Sequence, residues 1–412
     1  MIINRVTLLG HKDHGKSTLI GSMLITTGSV SEERVAEAKS QSKKLGRKFE
    51  PGFILDSFSE ERRGGLTIDT SRAQVKYRDS AFEFIDVPGH EELIKNMISG
   101  ASYAKFALLI VSANKDEGIR PQTKRHIYLS RMLGIGKLIV AVNKMDTVDY
   151  SKDRFERIRA ELSEFLEKIG VNSKAVNFVP ISAYGSDNLT KKSANLKWYK
   201  GKPLLELMRE MAKQKDYGPS DESMRVILQG SMPHESDSLL IGNVASGTIK
   251  VGSWVKVLPI NKVSKVTALF VKGAKKKSAN VSENVAIKLA NPITDDSKGG
   301  VVYDASFKSG KNTRNIGALV FIVKKIKGPV RVKFNGIELS GNVSVKRIID
   351  TTTGSEMGPR SAQQLNAAVV DIKLNKDIPA EPFTSSRELG RFVLYQGDKF
   401  SGIGIITSVG KR

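Results

Sequence analysis

The sequence predicts an α/β phosphate-loop domain with a doubly wound, mostly parallel sheet, followed by two all-β barrels. Three observations carry this prediction. Apolar runs alternate with helical patterns from residue 1 to about residue 212. A G-x-x-x-x-G-K-S motif, Gly10–Ser17, joins the first run to the first helix. After Met224 the helical patterns give way to short strand-like runs separated by Gly, Asn, Ser and Pro.

The predicted strands of the first region are Ile2 to Leu9, Phe82 to Val87, Ala107 to Ala113, Leu138 to Asn143 and Asn177 to Ser182. They are apolar at nearly every position, as parallel strands buried on both faces must be. Between the last two, Phe155, Ile158, Leu162, Phe165, Leu166 and Ile169 recur at helical spacing. Residues 213 to 222 (KQKDYGPSDE) read as a linker. Beyond it, Met224 to Gln229, Leu239 to Val244, Trp254 to Leu258 and Val266 to Val271 read as strands, and a second break falls near KSGKNTRN, residues 308 to 315. The expected domains are 1–212, 220–307 and 313–412.

Composition narrows the function classes. The chain has 412 residues, 40% of them hydrophobic, with no cysteine and five scattered histidines. Disulfides and thiolate metal sites are excluded, and the histidines form no zinc pattern. The longest apolar run, around Phe106 to Val111, falls far short of the about 20 residues a membrane helix needs. The chain opens directly into a strand-like run, without a signal-peptide pattern, so a cytoplasmic protein with no membrane partner is expected. The net charge of +23, with lysine clusters such as Lys275 to Lys277, fits either a solvated surface or RNA contact.

The chemistry lies in five ordered segments. In the first, backbone N–H groups of Gly10–Ser17 wrap a phosphate chain at a helix N-terminus, Lys16 reaches the outer phosphates and Ser17 holds magnesium. The nucleotide-binding set there is Gly10, His11, Asp13, His14, Gly15, Lys16, Ser17 and Thr18, with the His14 ring expected to pack within the loop. Thr67, in GGLTID, is expected to give its hydroxyl to the same magnesium. Asp86, in DVPGH, would hold that ion through a water, and the Gly89 N–H would sense the γ-phosphate. His90 is the catalytic candidate, positioning water against the γ-phosphate. Asn143, Lys144 and Asp146, in NKMD, select guanine. The Asp carboxylate accepts from a ring N–H and an exocyclic amino group, a donor pair that adenine lacks. Ser182 and Ala183, in ISA, close over the base.

The ordered set GHKDHGKST, GGLTID, DVPGHEELIKNM, QTKRH, VNKMD and ISA resembles the translational GTPase superfamily. That superfamily includes elongation factor Tu, elongation factor 1-alpha and the GTPase subunit of sulfate adenylyltransferase. The likeness runs over almost the whole chain. It implies a G domain and two β-barrels, GTP or GDP with Mg2+, and a monovalent cation near Asp13. Two branches compete. MDTVDYSKDRFERIR, NLKWYKGKPLLELM and NVASGTIKVGSWVKVLP look closer to the sulfate adenylyltransferase GTPase subunit, which would couple hydrolysis to a separate catalytic subunit. The chain has no H-x-G-H nucleotidyltransferase signature of its own. DHGKSTLIG, EPFTSSRELGRF and the basic charge lean to elongation factor 1-alpha, whose partners would be aminoacyl-tRNA and the ribosome. A ribosome-rescue partner is a third branch. The sulfate branch is the first expectation.

Two positions depart from the superfamily pattern. Lys12 stands where an apolar residue, often Val, usually helps to shield the catalytic histidine, and Gly64 replaces the usual Arg. The last barrel also looks short between Gly317 and Val345 for the sulfate branch.

Overall fold

The computed structural model describes residues 2–44, 46, 48–55, 73–86, 106–132, 134–214, 223–234, 237–293, 297–307, 310–324, 326, 328–359 and 364–410. By contact the chain divides into two compact units, Met1–Asp216 with Thr351–Ser355, and Tyr217–Asp350 with Glu356–Arg412. Among the described residues no helix is long and apolar enough to cross a membrane.

The first unit is built on six strands: β1 (Ile2–Leu9), β2 (Ala73–Tyr77), β3 (Ser80–Asp86), β4 (Phe106–Ser112), β5 (Leu138–Asn143) and β6 (Asn177–Pro180). Their order is β2-β3-β1-β4-β5-β6. All neighbours are parallel except β2, an antiparallel edge strand paired with β3. Sequence reading passed over β2, because a short run containing Gln and Lys carries little apolar signal.

Alternate residues serve opposite faces. Val6, Leu8, Phe106, Leu108, Ile110, Ile139 and Ala141 join one core with Leu19 and Met23 of α1 (Lys16–Thr26). The intervening Leu9, Ala107, Leu109, Val111, Val140 and Val142 are equally buried. On that opposite side α3 (Pro121–Met132) contacts β1 and β4; α2 (Glu32–Lys44) precedes it in the chain. This two-sided burial explains why β4 has no polar phase. Helix α4 (Lys152–Lys168) buries Phe155, Ile158, Leu162, Phe165 and Leu166, as its spacing predicts, and Ser151 caps it by accepting from the Arg154 N–H. Helix α5 (Leu204–Lys213) buries Leu204, Leu205, Met208 and Met211, each contributing about 1.5–3 kcal/mol.

In the second unit two antiparallel barrels close. The first uses β7 (Arg225–His234), β8 (Asp237–Ser246), β10 (Trp254–Leu258), β11 (Lys262–Val271), β14 (Asn284–Leu289) and β15 (Val301–Asp304). Its ring runs β10-β15-β7-β8-β14-β11 and returns to β10. The short β9 (Thr248–Lys250), β12 (Ala274–Lys276) and β13 (Ser278–Asn280) decorate it. The second uses β16 (Lys311–Ile322), β17 (Val330–Phe334), β18 (Ile337–Ile349), β20 (Ala367–Ala380), β21 (Arg391–Gln396) and β22 (Lys399–Val409), with β19 (Glu356–Met357) appended to β18. Its ring closes through β17 on β18. The stretch that looked short, Gly317 to Val345, carries β17 with parts of β16 and β18. What is short is the connection: β17 and β18 meet through Asn335 and Gly336, both at positive φ, the left-handed turn that a tight hairpin requires.

The junction between the barrels is polar at its centre. Arg225 Nε and Nη2 donate to the two carboxylate oxygens of Glu381 at 2.7 and 2.8 Å, and both side chains are 1% exposed. The Arg225 guanidinium lies 4.7 Å from the Phe307 ring centroid, and Phe307 stacks on Tyr303. Burial, with the Glu381 carboxylate beside it, pushes the Tyr303 phenol well above its ordinary range.

Candidate functional site

Three of the five sequence segments, and Asp86 at the start of a fourth, lie at the same edge of the parallel sheet, where the C-terminal ends of β3 and β1 on one side of β4 and of β5 and β6 on the other come together. The phosphate loop follows β1. Gly10 and Gly15 have φ of 140° and 84°. A Cβ on Gly10 would stand 2.5 Å from the Ile110 carbonyl oxygen, and one on Gly15 would stand 2.6 Å from Asn143 Nδ2. Only glycine fits either place. Lys16 opens α1, and its ammonium donates to the carbonyls of Gly10 and His11, both at 3.1 Å. Ser17 and Thr18 follow in the first turn, with Ser17 exposed. The N-terminus of a helix of 11 residues thus faces the loop, a setting that favours anions.

His14 turns inward. It is 0% exposed, and its Nδ1 lies 3.1 Å from the Ile110 carbonyl oxygen. A carbonyl only accepts, so Nδ1 carries the proton and Nε2 is left as a bare lone pair. That Nε2 is buried without a hydrogen-bond partner among the described residues. Burial pulls the imidazole down to about 4, against the opposing effect of the Ile110 bond. His14 therefore contributes a neutral packing ring, and any contact it makes with nucleotide runs through its backbone. Asp13 is exposed, with its carboxylate 3.5 Å from His11 Nδ1.

Asn143 works as a tie. Its Nδ2 donates to the His14 carbonyl at 2.9 Å, and its Oδ1 accepts the Ala183 N–H at 2.8 Å. It joins the phosphate loop to the ISA segment through both ends of its amide. Ala183 is held a second time, accepting from the Ser22 hydroxyl of α1. Ser182 is buried and accepts the Gly185 N–H through its hydroxyl. Lys144 adopts φ 60°, and its ammonium donates to both carboxylate oxygens of Glu117 at 2.7 and 2.8 Å. Burial raises the Glu117 carboxyl, but bonds from Lys144 and Ser112 outweigh it and leave it below its ordinary range.

Asp146 is the exception to this satisfaction. Its Oδ1 is buried, with no hydrogen-bond partner among the described residues. A buried acceptor left bare costs roughly 1–3 kcal/mol, more if charged. A planar ligand presenting two adjacent N–H donors would remove that cost, which fits guanine.

Asp86 closes β3 with its backbone beside Leu8, and its side chain lies outside the described residues. Thr67, Gly89 and His90 lie outside them too, as do Gly64 and the Lys12 side chain.

Known proteins resemble this chain along nearly all of its length. The family described as "Elongation factor Tu GTP binding domain" matches residues 1–214. The family described as "GTP-eEF1A C-terminal domain-like" matches residues 330–407. Elongation factor 1-alpha of Aeropyrum pernix is 32% identical over 98% of this chain and 96% of its own. The same factor of Pyrobaculum calidifontis is 34% identical over 98% and 94%, and that of Sulfolobus acidocaldarius 33% over 98% and 97%. The chain belongs to the translational GTPase family of the elongation factor Tu and 1-alpha type.

As a translational GTPase it binds and hydrolyses GTP. Two supports of its site escaped the motif reading. Glu117 anchors Lys144 from a loop 27 residues away, and Ser22 anchors Ala183 from a helix 161 residues away. Neither lies in a motif, and a lone Glu or Ser carries no spacing signal. The relatives named above support the translation branch and give the sulfate-activation branch, the first expectation, no support.

Proposed function

We propose that this chain is an elongation factor 1-alpha-type carrier that holds aminoacyl-tRNA in its GTP form and releases it at the ribosome after hydrolysis. The observation that carries this reading is the likeness to elongation factors 1-alpha over 98% of the chain. The unpartnered Asp146 acceptor supports guanine as the base. In this reading Ser17, Thr67 and Asp86 hold Mg2+, which neutralises charge on the phosphates. His90 orients the attacking water, and the Gly89 N–H reports whether the γ-phosphate is present.

The first barrel carries a basic stretch suited to RNA. Thr248 to Asn280 contains eight lysines and no carboxylate. Trp254 is 58% exposed and pairs across strands with Lys265, while Val263, also exposed, pairs with Lys256. Lysines meet phosphates, and an exposed indole offers a stacking surface.

The test is recovery of the full chain from its own cells, loaded with a non-hydrolysable GTP analogue. Aminoacylated tRNA in the bound fraction, lost when GDP replaces the analogue, is the expected result. A nucleotidyltransferase subunit recovered in fixed ratio, without tRNA, would overturn it.

A further inference from the structure

We propose that Tyr150 is a positioning residue for guanine recognition: its hydrogen bond to Asp187 locks the Asp146 turn to the ISA loop and lengthens the time a guanine nucleotide stays bound. The inference rests on the guanine-nucleotide reading of the site.

The turn carrying Asp146 is held in an unfavourable shape. Met145–Val148 form a single 3-10 turn, and Lys144, Asp149 and Tyr150 around it all have positive φ, at 60°, 50° and 54°. Each non-glycine residue in that region costs on the order of 1 kcal/mol, and such a cluster persists only where its surroundings enforce it. Tyr150 is enforced from three directions. Its N–H donates to the Met145 carbonyl at 2.8 Å, its carbonyl accepts from Trp198 Nε1 at 2.9 Å, and its hydroxyl donates to Asp187 Oδ2 at 2.9 Å. Trp198 is itself braced on Phe155, with ring centroids 5.3 Å apart.

Asp187 is equally well held. It accepts from the Ser193 hydroxyl and from Asn195 Nδ2, and its N–H donates to the Ser182 carbonyl at 3.0 Å. Among the described residues the two base-facing loops are thus joined at three levels. Asn143 to Ala183 and the Met145 N–H to the Ile181 carbonyl sit at the strand ends. Tyr150 to Asp187 joins the outer level, between two half-buried side chains. Burial, then the carboxylates of Asp187 and Asp146, push the Tyr150 phenol up to about 12, so it keeps its proton and donates at neutral pH. The latch is therefore closed by the Tyr150 hydroxyl on Asp187, with Asn195 beside it, and losing that hydroxyl leaves the strand ends untouched. Its effect is confined to the turn that aims Asp146.

The experiment measures dissociation of fluorescent GDP and of fluorescent inosine diphosphate from the full chain. Inosine lacks the exocyclic amino group, so the ratio of the two rates reads the aim of Asp146. Tyr150→Phe removes only the hydroxyl and should release GDP roughly five- to tenfold faster while narrowing the GDP-to-inosine ratio. Asp187→Ala should do the same, Asp187→Asn, which keeps an acceptor, should stay near wild type, and the double Tyr150→Phe/Asp187→Ala should add nothing to either single change. Unchanged release from Tyr150→Phe would overturn the latch. So would faster release of both nucleotides at an unchanged ratio, which would mark general loosening. A wild-type chain that binds neither nucleotide would overturn the guanine reading, and the latch with it.

Discussion

The nucleotide end of the parallel sheet and the junction between the two barrels both bury charged groups, and they pair them differently. At the junction the buried charges are matched: Arg225 donates two hydrogen bonds to the Glu381 carboxylate at 1% exposure, and Arg225 Nη1 also reaches the Ser223 carbonyl and the Ser246 hydroxyl, while the neutral Tyr303 hydroxyl and Asn312 Oδ1 are buried without hydrogen-bond partners among the described residues. At the nucleotide end Asn143, Lys144, Ser182 and Ala183 are satisfied, yet Asp146 Oδ1 and His14 Nε2 are buried without partners among the described residues. A closed pair fastens structure to structure. A bare buried carboxylate oxygen in the guanine motif, beside satisfied neighbours, fits a donor that comes from outside the chain.

The largest effect should come from opening the closed pair. Arg225→Met leaves the Glu381 carboxylate buried and alone, which should destabilise the barrel unit by about 3–5 kcal/mol. Replacing both partners, Arg225→Met with Glu381→Leu, should recover most of that loss, because the penalty lies in the unpaired charge. Chemical denaturation of the three chains checks this. A double variant as unstable as the single one would break the comparison, since the pair would then matter for more than its own neutralisation.

Next comes the open acceptor. Asp146→Asn swaps one acceptor for a donor, so guanine meets N–H against N–H and its affinity should fall roughly a hundredfold or more. Xanthine carries a carbonyl where guanine has its amino group and should gain correspondingly. Competition of GDP against xanthosine diphosphate in wild type and variant measures both. If the preference stays with guanine, Asp146 is not the base-reading group, and its bare oxygen needs another explanation.

The two regions also differ in how legible they were. The nucleotide segments could be read because phosphate wrapping and base recognition demand particular residues at short, fixed spacing, and the strands beneath them are apolar on both faces. Asn143 was read as a nucleotide contact, and its amide ties His14 to Ala183. Four strands of the first barrel were legible as short runs separated by Gly, Asn, Ser and Pro, the second barrel only as the same texture, and the closure of neither was, since β10 on β11 or β17 on β18 is decided by register and twist. Arg225 and Glu381 are 156 residues apart, and a single Arg and a single Glu carry no pattern that would join them. The same holds for Tyr150 with Asp187 and Lys144 with Glu117: such contacts are set by which loops the sheet order brings together.

The smallest effect concerns His14, whose bare Nε2 has no opening to solvent and so resists a proton. The folded imidazole titrates at about 4, below its ordinary 6.5. As pH falls below 6.5 the unfolded chain takes up the proton first, so this residue's contribution to stability declines, and the loss is complete once pH passes below the folded value. The span of the shift bounds the effect at about 3 kcal/mol. Denaturation between pH 7 and pH 4 should therefore show a slope that His14→Gln flattens, because the amide keeps a polar group beside the Ile110 carbonyl and has nothing to titrate. A slope identical in the two chains would place the acid sensitivity elsewhere. Asp146 Oδ1 would then be the stronger pointer to a ligand at this end among the described residues.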